Sequence, residues 1–247
     1  MMKKIAAALA LAGLLFAGFL AWLGYFGGEV FVPVPATAAA APAERGTAAI
    51  LLSGDMGFRI GMGPQVATRL AAHGVPVIGV NSLVYFRTRR TPEQAGQLVA
   101  EAMRHALALP GVTRVVLIGQ SFGADMLQIG LPSLPADLRA KVPMVVLVVP
   151  GDTVDYRASP SELFSWAAPD ARAWPTARLL TWVPVLCVQG AEETDSLCPL
   201  MTMPNATRVA LPGGHPLRHD PDRLYATIAG AMERTLPKVQ AAHSVAP

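Results

Sequence analysis

Val115–Val116–Leu117–Ile118–Gly119–Gln120–Ser121–Phe122–Gly123–Ala124–Asp125 is the stretch from which the rest of this 247-residue chain is read. A run of aliphatic residues predicts a buried strand, and Gly-x-Ser-x-Gly closes it. Small and helix-tolerant residues follow, so the segment predicts a strand that turns sharply into a helix with Ser121 at the apex. A side chain at Gly119 or Gly123 would collide with the neighbouring strand or helix. The serine takes a strained backbone that exposes its hydroxyl at the carboxyl end of a sheet. Gly-x-Ser-x-Gly alone recurs by chance. Here it ends a strand-like run in mid-chain, and a histidine preceded by two glycines lies far downstream.

Outward from that turn, apolar strands alternate with helices. Ala48–Leu52 reads as a buried strand ending in Ser53–Gly54–Asp55–Met56–Gly57–Phe58, followed by a helix from Gly63 to His73 and a strand at Val75–Val80. Thr91-x-x-Gln94 is a capping box with Pro92 at the first helical position. Behind it Ala95, Leu98, Val99, Ala102, Met103 and Ala106 recur at helical spacing. After Val115–Ile118, further strands are predicted at Val142–Val149, Val183–Val188 and Thr207–Leu211. A last helix opens at Asp220–Pro221 and runs to about Leu236. Strands this uniformly apolar, alternating with helices, predict an α/β fold with a doubly wound, mostly parallel sheet covered on both faces. Asp152 to Leu180 interrupts the rhythm. Its Phe164, Trp166 and Trp174 suit either a buried loop or the wall of an apolar pocket.

The ends are of a different character. Lys3 and Lys4 precede an uncharged apolar run from Ile5 to Phe26, long enough to cross a bilayer at about 20 residues per span. Residues 1–27 are therefore expected to be an uncleaved signal anchor with its positive end in the cytoplasm, though Ala36–Ala41 offers a small-residue cleavage site. Residues 28–46, rich in Pro and Ala, read as a linker, 47–240 as the folded domain and 241–247 as a tail. The formal charge of +3 is small. Arg87–Thr88–Arg89–Arg90 is the one basic cluster, so nucleic acid is not an expected partner. Those arginines suit either a solvated loop or contact with anionic lipid head groups. Cys187 and Cys198 are the two cysteines. An even count in an exported domain predicts a disulfide closing a short loop. No His/Cys grouping has metal-ligand spacing, and neither metal nor organic cofactor is expected.

Acyl transfer by a serine needs a base, an acid to orient the base, and donors for the oxyanion. His215, in Leu211–Pro212–Gly213–Gly214–His215, follows the last strand, where a loop can swing an imidazole over Ser121; His219 is the fallback. The acid should leave the preceding strand, where Gly190–Ala191–Glu192–Glu193–Thr194–Asp195 offers three carboxylates. Glu193 stands at a usual distance from the glycine and Asp195 is close behind; Asp152 is an outside alternative. The backbone amide of Phe122 and an amide at Asp55 or Met56 are the expected oxyanion donors. The order Ser, acid, His is that of the hydrolases built on such a sheet.

Together Ser53–Gly54–Asp55, Gly119–Asp125, the Glu192–Cys198 run and Leu211–His215 resemble the bacterial virulence proteins of the VirJ/AcvB family, over about residues 47 to 240. The resemblance implies an α/β-hydrolase fold, export to the periplasm, Ser121 as nucleophile and His215 as base, and it marks Asp125 as a family feature. AcvB-type members detach the amino acid from lysyl-phosphatidylglycerol, and VirJ-type members are associated with type IV secretion. A single domain of the VirJ kind, with an added membrane anchor, is the expected organisation. The expected function is a periplasmic serine esterase, anchored in the inner membrane, acting on a membrane lipid: the aminoacyl ester of aminoacyl-phosphatidylglycerol. A non-catalytic factor that assists secretion-system proteins and a generic carboxylesterase are the alternatives.

Overall fold

The computed structural model describes residues 1–158 and 168–244, with 237–244 as backbone only. Seven strands form one sheet. In chain order they are β1 (Phe31–Val34), β2 (Thr47–Leu52), β3 (Val77–Val80), β4 (Arg114–Gln120), β5 (Val145–Val148), β8 (Val185–Gly190) and β9 (Ala206–Leu211); β6 (Thr153–Val154) and β7 (Ala171–Arg172) pair separately as a short ribbon. Across the sheet the order is β1-β3-β2-β4-β5-β8-β9. Every neighbouring pair is parallel except β1 with β3.

Period-two alternation sends successive residues of each central strand into two separate cores. Ile50, Leu52, Leu117 and Leu147 point to one face, where α4 (Pro92–Leu107) and α5 (Phe122–Gly130) pack. Leu51, Val116, Ile118 and Val146 point to the other, beneath α2 (Met62–Ala72) and α8 (Pro221–Ser244). Both faces are dry, which is why these strands read as unbroken apolar runs. The helix expected behind Thr91 forms with both halves of its capping box: the Gln94 amide donates to Thr91 Oγ1 at 3.2 Å, and the Thr91 amide donates to Gln94 Oε1 at 3.0 Å. All six residues of its expected apolar face are buried.

Two expectations need correction. The 28–46 stretch is not a free linker, because Phe31–Val34 forms β1 on the sheet edge. Phe31 pairs with Val80 and Val34 with Val77. A four-residue strand containing Pro33 shows little periodicity, and an edge strand tolerates the missing amide donor. The last helix does not stop near Leu236; α8 continues past Pro237 to Ser244, into the expected tail. In the 152–180 segment, Trp174 begins the short helix α7 (Trp174–Ala177) and packs on the α5 face of the core; Phe164 and Trp166 lie outside the described residues.

At the carboxyl end of β4, a Cβ on Gly123 would fall on the carbonyl oxygens of Leu52 and Ser53, and one on Gly119 would fall on the first turn of α5. Gly123→Ala should therefore cost at least about 1–3 kcal/mol of stability as an overpacking change, read as a lower midpoint in thermal or urea unfolding.

Candidate active site

Ser121 caps α5 directly after β4, with φ 53° and ψ −127°. A left-handed backbone at a non-glycine residue is costly and persists only where its surroundings impose it. Here the Ser121 amide is tied to Val148 O at 2.8 Å, and the close approach at Gly123 fixes the start of the helix. The hydroxyl is left at the rim of the sheet.

Two loops meet it there. The loop after β9 brings His215 Nε2 to 2.8 Å from Ser121 Oγ. The loop after β8 brings Glu193 Oε1 to 2.7 Å from His215 Nδ1. Glu193 Oε2 accepts from the Gly190 amide at 2.6 Å. The Glu193 side chain is only 4% exposed and that of His215 is 53% exposed. A carboxylate shielded from water and held by a backbone donor sits behind an imidazole that faces the solvent. The geometry suits a carboxylate that orients the imidazole through Nδ1 and leaves Nε2 facing the Ser121 hydroxyl.

The other carboxylates expected near the acid position lie elsewhere. Asp195 is exposed, and its contribution is a backbone one: its carbonyl accepts from the Asp152 amide at 2.8 Å. Placing the acid at Asp195 is thus corrected by geometry, since it leaves the loop two residues beyond the one that faces the imidazole. Glu192 is exposed, 3.8 Å from Arg218, and the Asp152 carboxylate pairs with Arg172 at 3.0 Å. His219 lines the same cavity but has no hydrogen bond to Ser121.

The cavity over Ser121 measures about 260 Å³. Its lining runs along one loop, from Ser53, Gly54, Asp55 and Met56 through Ile60 to the start of α2 (Met62, Gly63, Pro64), with His215, Pro216 and His219. Sequence reasoning missed Ile60, the start of α2 and Gln120. The available signal was positional, because in a parallel sheet the loop and helix start after each strand share the carboxyl rim. The Phe122 amide opens α5 beside the serine, and the amides of Asp55 and Met56 stabilise the Asp55 carboxylate. Burial nonetheless raises the Asp55 pKa above its ordinary value. Trp174 is absent from the cavity lining.

Behind the site, Asp125 lies one turn along α5 and accepts from the Gly151 amide at 2.9 Å. Burial pushes its carboxyl well above the usual range, and the nearby carboxylates of Asp155, Asp55 and Glu193 add to the shift. Gly151 in turn bridges to Ser196, and the Leu197 amide donates to Pro150 O. The loop that carries Glu193 is therefore pinned to the end of β5. A disulfide between Cys187 and Cys198, with Cα atoms 5.5 Å apart, closes the same loop from the side of β8. Among the described residues no group of three or more His, Cys, Asp or Glu side chains is placed to hold a metal.

Of the three arginines after β3, two are engaged within the fold. Arg89 pairs with Asp170 at 2.5 Å and lies over Tyr156. Arg90 lies over the Tyr85 ring and donates to Tyr85 O. Arg87 stands beside Gly27.

A sequence profile of the bacterial virulence protein VirJ matches residues 46–236, most of the chain. The chain belongs to the VirJ family. No curated protein matches its sequence. Its fold is that of the α/β hydrolases. Est1E from Butyrivibrio proteoclasticus superposes with a TM-score of 0.59 at 14% identity, covering 83% of this chain and 93% of that one. The mature lipase BlEst2 from Bacillus licheniformis superposes with a TM-score of 0.58 at 10% identity, covering 83% and 99%. The α/β hydrolase GrgF from Penicillium sp. sh18 gives 0.59 at 12% identity, covering 83% and 93%. At these identities the likeness is one of fold.

If Glu193 orients His215, Glu193→Gln should lower turnover of a soluble ester by about 10³–10⁴-fold, while Asp195→Asn leaves it within a factor of about three. Steady-state kinetics of the two variants decides this. Replacing Cys187 and Cys198 by serine should cost about 2–3 kcal/mol, the chain-entropy value for so short a loop, read as a drop in unfolding midpoint that reduction of the wild type reproduces.

Proposed function

We propose that this VirJ-family protein is a serine hydrolase of ester bonds, and that its substrate is an aminoacyl ester carried by phosphatidylglycerol. The observation that carries the reading is the unbroken line from Ser121 through His215 to Glu193 at a strained turn. Ser121 Oγ attacks the ester carbonyl carbon while its proton passes to His215 Nε2. The imidazolium is held by Glu193, and the oxyanion faces the amide of Phe122, the Asp55 and Met56 amides expected beside it being turned to the Asp55 carboxylate. Collapse breaks the ester C–O bond, and His215 returns the proton to the departing glycerol hydroxyl. Water, deprotonated by His215, then attacks the acyl-serine and frees the amino acid with Ser121 restored.

Two features support the aminoacyl reading beyond the family resemblance. The cavity is small, suited to an amino acid and the glycerol that bears it rather than to a pair of fatty chains. It also carries a carboxyl, Asp55, in position to attract the ammonium of an aminoacyl group. The disulfide and the positive end of the apolar N-terminal helix are in keeping with a domain on the periplasmic side.

A fluorophosphonate probe should label the wild type and fail to label Ser121→Ala with folding intact; ester turnover should fall by several orders of magnitude. Lysine or alanine should be released from aminoacyl-phosphatidylglycerol in vesicles, with plain phosphatidylglycerol untouched. Because burial raises the Asp55 pKa, its ionised fraction falls as pH drops through that raised value. KM for the aminoacyl lipid should rise on the acid side, and Asp55→Asn should raise it at neutral pH while sparing an uncharged ester. Brisk cleavage of soluble esters with aminoacylated lipid left intact would point to a generic carboxylesterase. An unlabelled, inactive wild type would point to a non-catalytic secretion factor.

A further inference from the structure

Helix α1 (Met2–Leu23) is long and apolar enough to cross a membrane. At about 1.5 Å per residue it matches a hydrocarbon layer about 30 Å thick. Residues 2–19 are exposed and, apart from Lys3 and Lys4, uncharged. The last turn is different. Leu23 is 1% exposed and belongs to the core on the α4 face. Gly24 is buried with φ 98°, and a Cβ there would stand 2.8 Å from Val84 Cγ2 on α3 (Ser82–Phe86). The Leu23 carbonyl lies against Gly57, and the Arg59 guanidinium sits 5.6 Å over the Trp22 ring. Just beyond, Val30 O accepts from the Asn81 amide at 2.8 Å before β1 joins the sheet.

Gly57 and Ile60 also line the cavity over Ser121. One loop, between β2 and α2, therefore touches both the end of the apolar helix and the active site. A signal segment that is cut away leaves no side chain in the core of its passenger. Here, cleavage at Ala36–Ala41 would remove Leu23 from the core and β1 from the sheet. The aromatic and cationic groups around the joint, Trp22, Tyr25, Phe26, Arg59 and Arg87, are the types that settle at a membrane–water boundary.

We propose that α1 is retained as a membrane-spanning part of the folded domain. Its seating against the β2–α2 loop holds the mouth of the Ser121 cavity at the bilayer surface, and the ester hydrolysed there is drawn from that surface. The substrate half of this proposal rests on the serine-hydrolase reading above; the seating half does not. A seated helix differs from a flexible tether because it fixes the orientation of the site as well as its distance. It raises the effective concentration of lipid esters and does nothing for soluble ones.

The test uses the full chain in phosphatidylglycerol nanodiscs containing lysyl-phosphatidylglycerol. Intact mass of protein extracted from membranes should retain residues 1–35. Gly24→Val, which drives a side chain into Val84, should speed amide hydrogen exchange at residues 54–60 and 81–87. It should also lower lysine release from the nanodisc by about tenfold, with hydrolysis of a water-soluble ester within about twofold of wild type. Trp22→Ala combined with Arg59→Ala, which leaves the core side chains in place, should move both readouts the same way by less. A chain beginning beyond residue 35, unchanged exchange in Gly24→Val, or equal losses on the two esters overturns the proposal. If mass and exchange behave as expected but neither ester is cleaved, the seating stands and the serine-hydrolase reading is what fails.

Discussion

The contact between the first turn of α5 and the end of β2 is the constraint on which the rest of the structure depends. Gly123 lies so close to the carbonyls of Leu52 and Ser53 that no side chain fits between them. The helix must therefore start immediately, and Ser121 must absorb the change of direction in a backbone conformation that a serine disfavours. The cost is met by central strands buried on both faces, which leave β4 no room to relax. The same contact brings the loop after β2, with Asp55 and Met56, alongside the serine hydroxyl.

The two loops that complete the line are held by different means. The His215 loop is short and rich in proline and glycine, and it leaves the imidazole half in solvent. The Glu193 loop is fastened at several points: Glu193 to Gly190, Ser196 to Gly151, Leu197 to Pro150, and the disulfide at its far end. A carboxylate as enclosed as Glu193 would be costly if it were unpaired. Both its oxygens have donors, so the enclosure strengthens its hold on the imidazole. Asp125 is held by less. One amide donor and several like-charged neighbours leave burial dominant, and its pKa rises.

Much of this was legible in the residues, for physical reasons that differ from element to element. Val115–Ile118 and Val145–Val148 are apolar at every position because they face two cores, so they stand out without any period. The Thr91/Gln94 box announces its helix because the reciprocal bonds need only local chain. That Ser121 and His215 meet could be expected because each follows a strand that ends on the same rim. Glu193 was harder to separate from Asp195, since the choice depends on how a loop folds back onto Gly190, and spacing does not encode that. Strand β1 was hidden by its length and by Pro33. Arg89 and Arg90 appeared free because their partners, Asp170 and the Tyr85 ring and carbonyl, are tertiary contacts for Arg89 and a local fold-back for Arg90.

The direction of β1 has a geometric consequence. In a sheet whose other strands all run one way, a parallel first strand would have begun at the rim opposite the serine. Because β1 runs against β3, with Phe31 beside Val80, the polypeptide enters the sheet at the rim that carries Ser121 and leaves it at the far one. Four residues of extended chain separate the two rims by about 13 Å. Reversing one short edge strand therefore decides which pole of the domain receives the N-terminal helix.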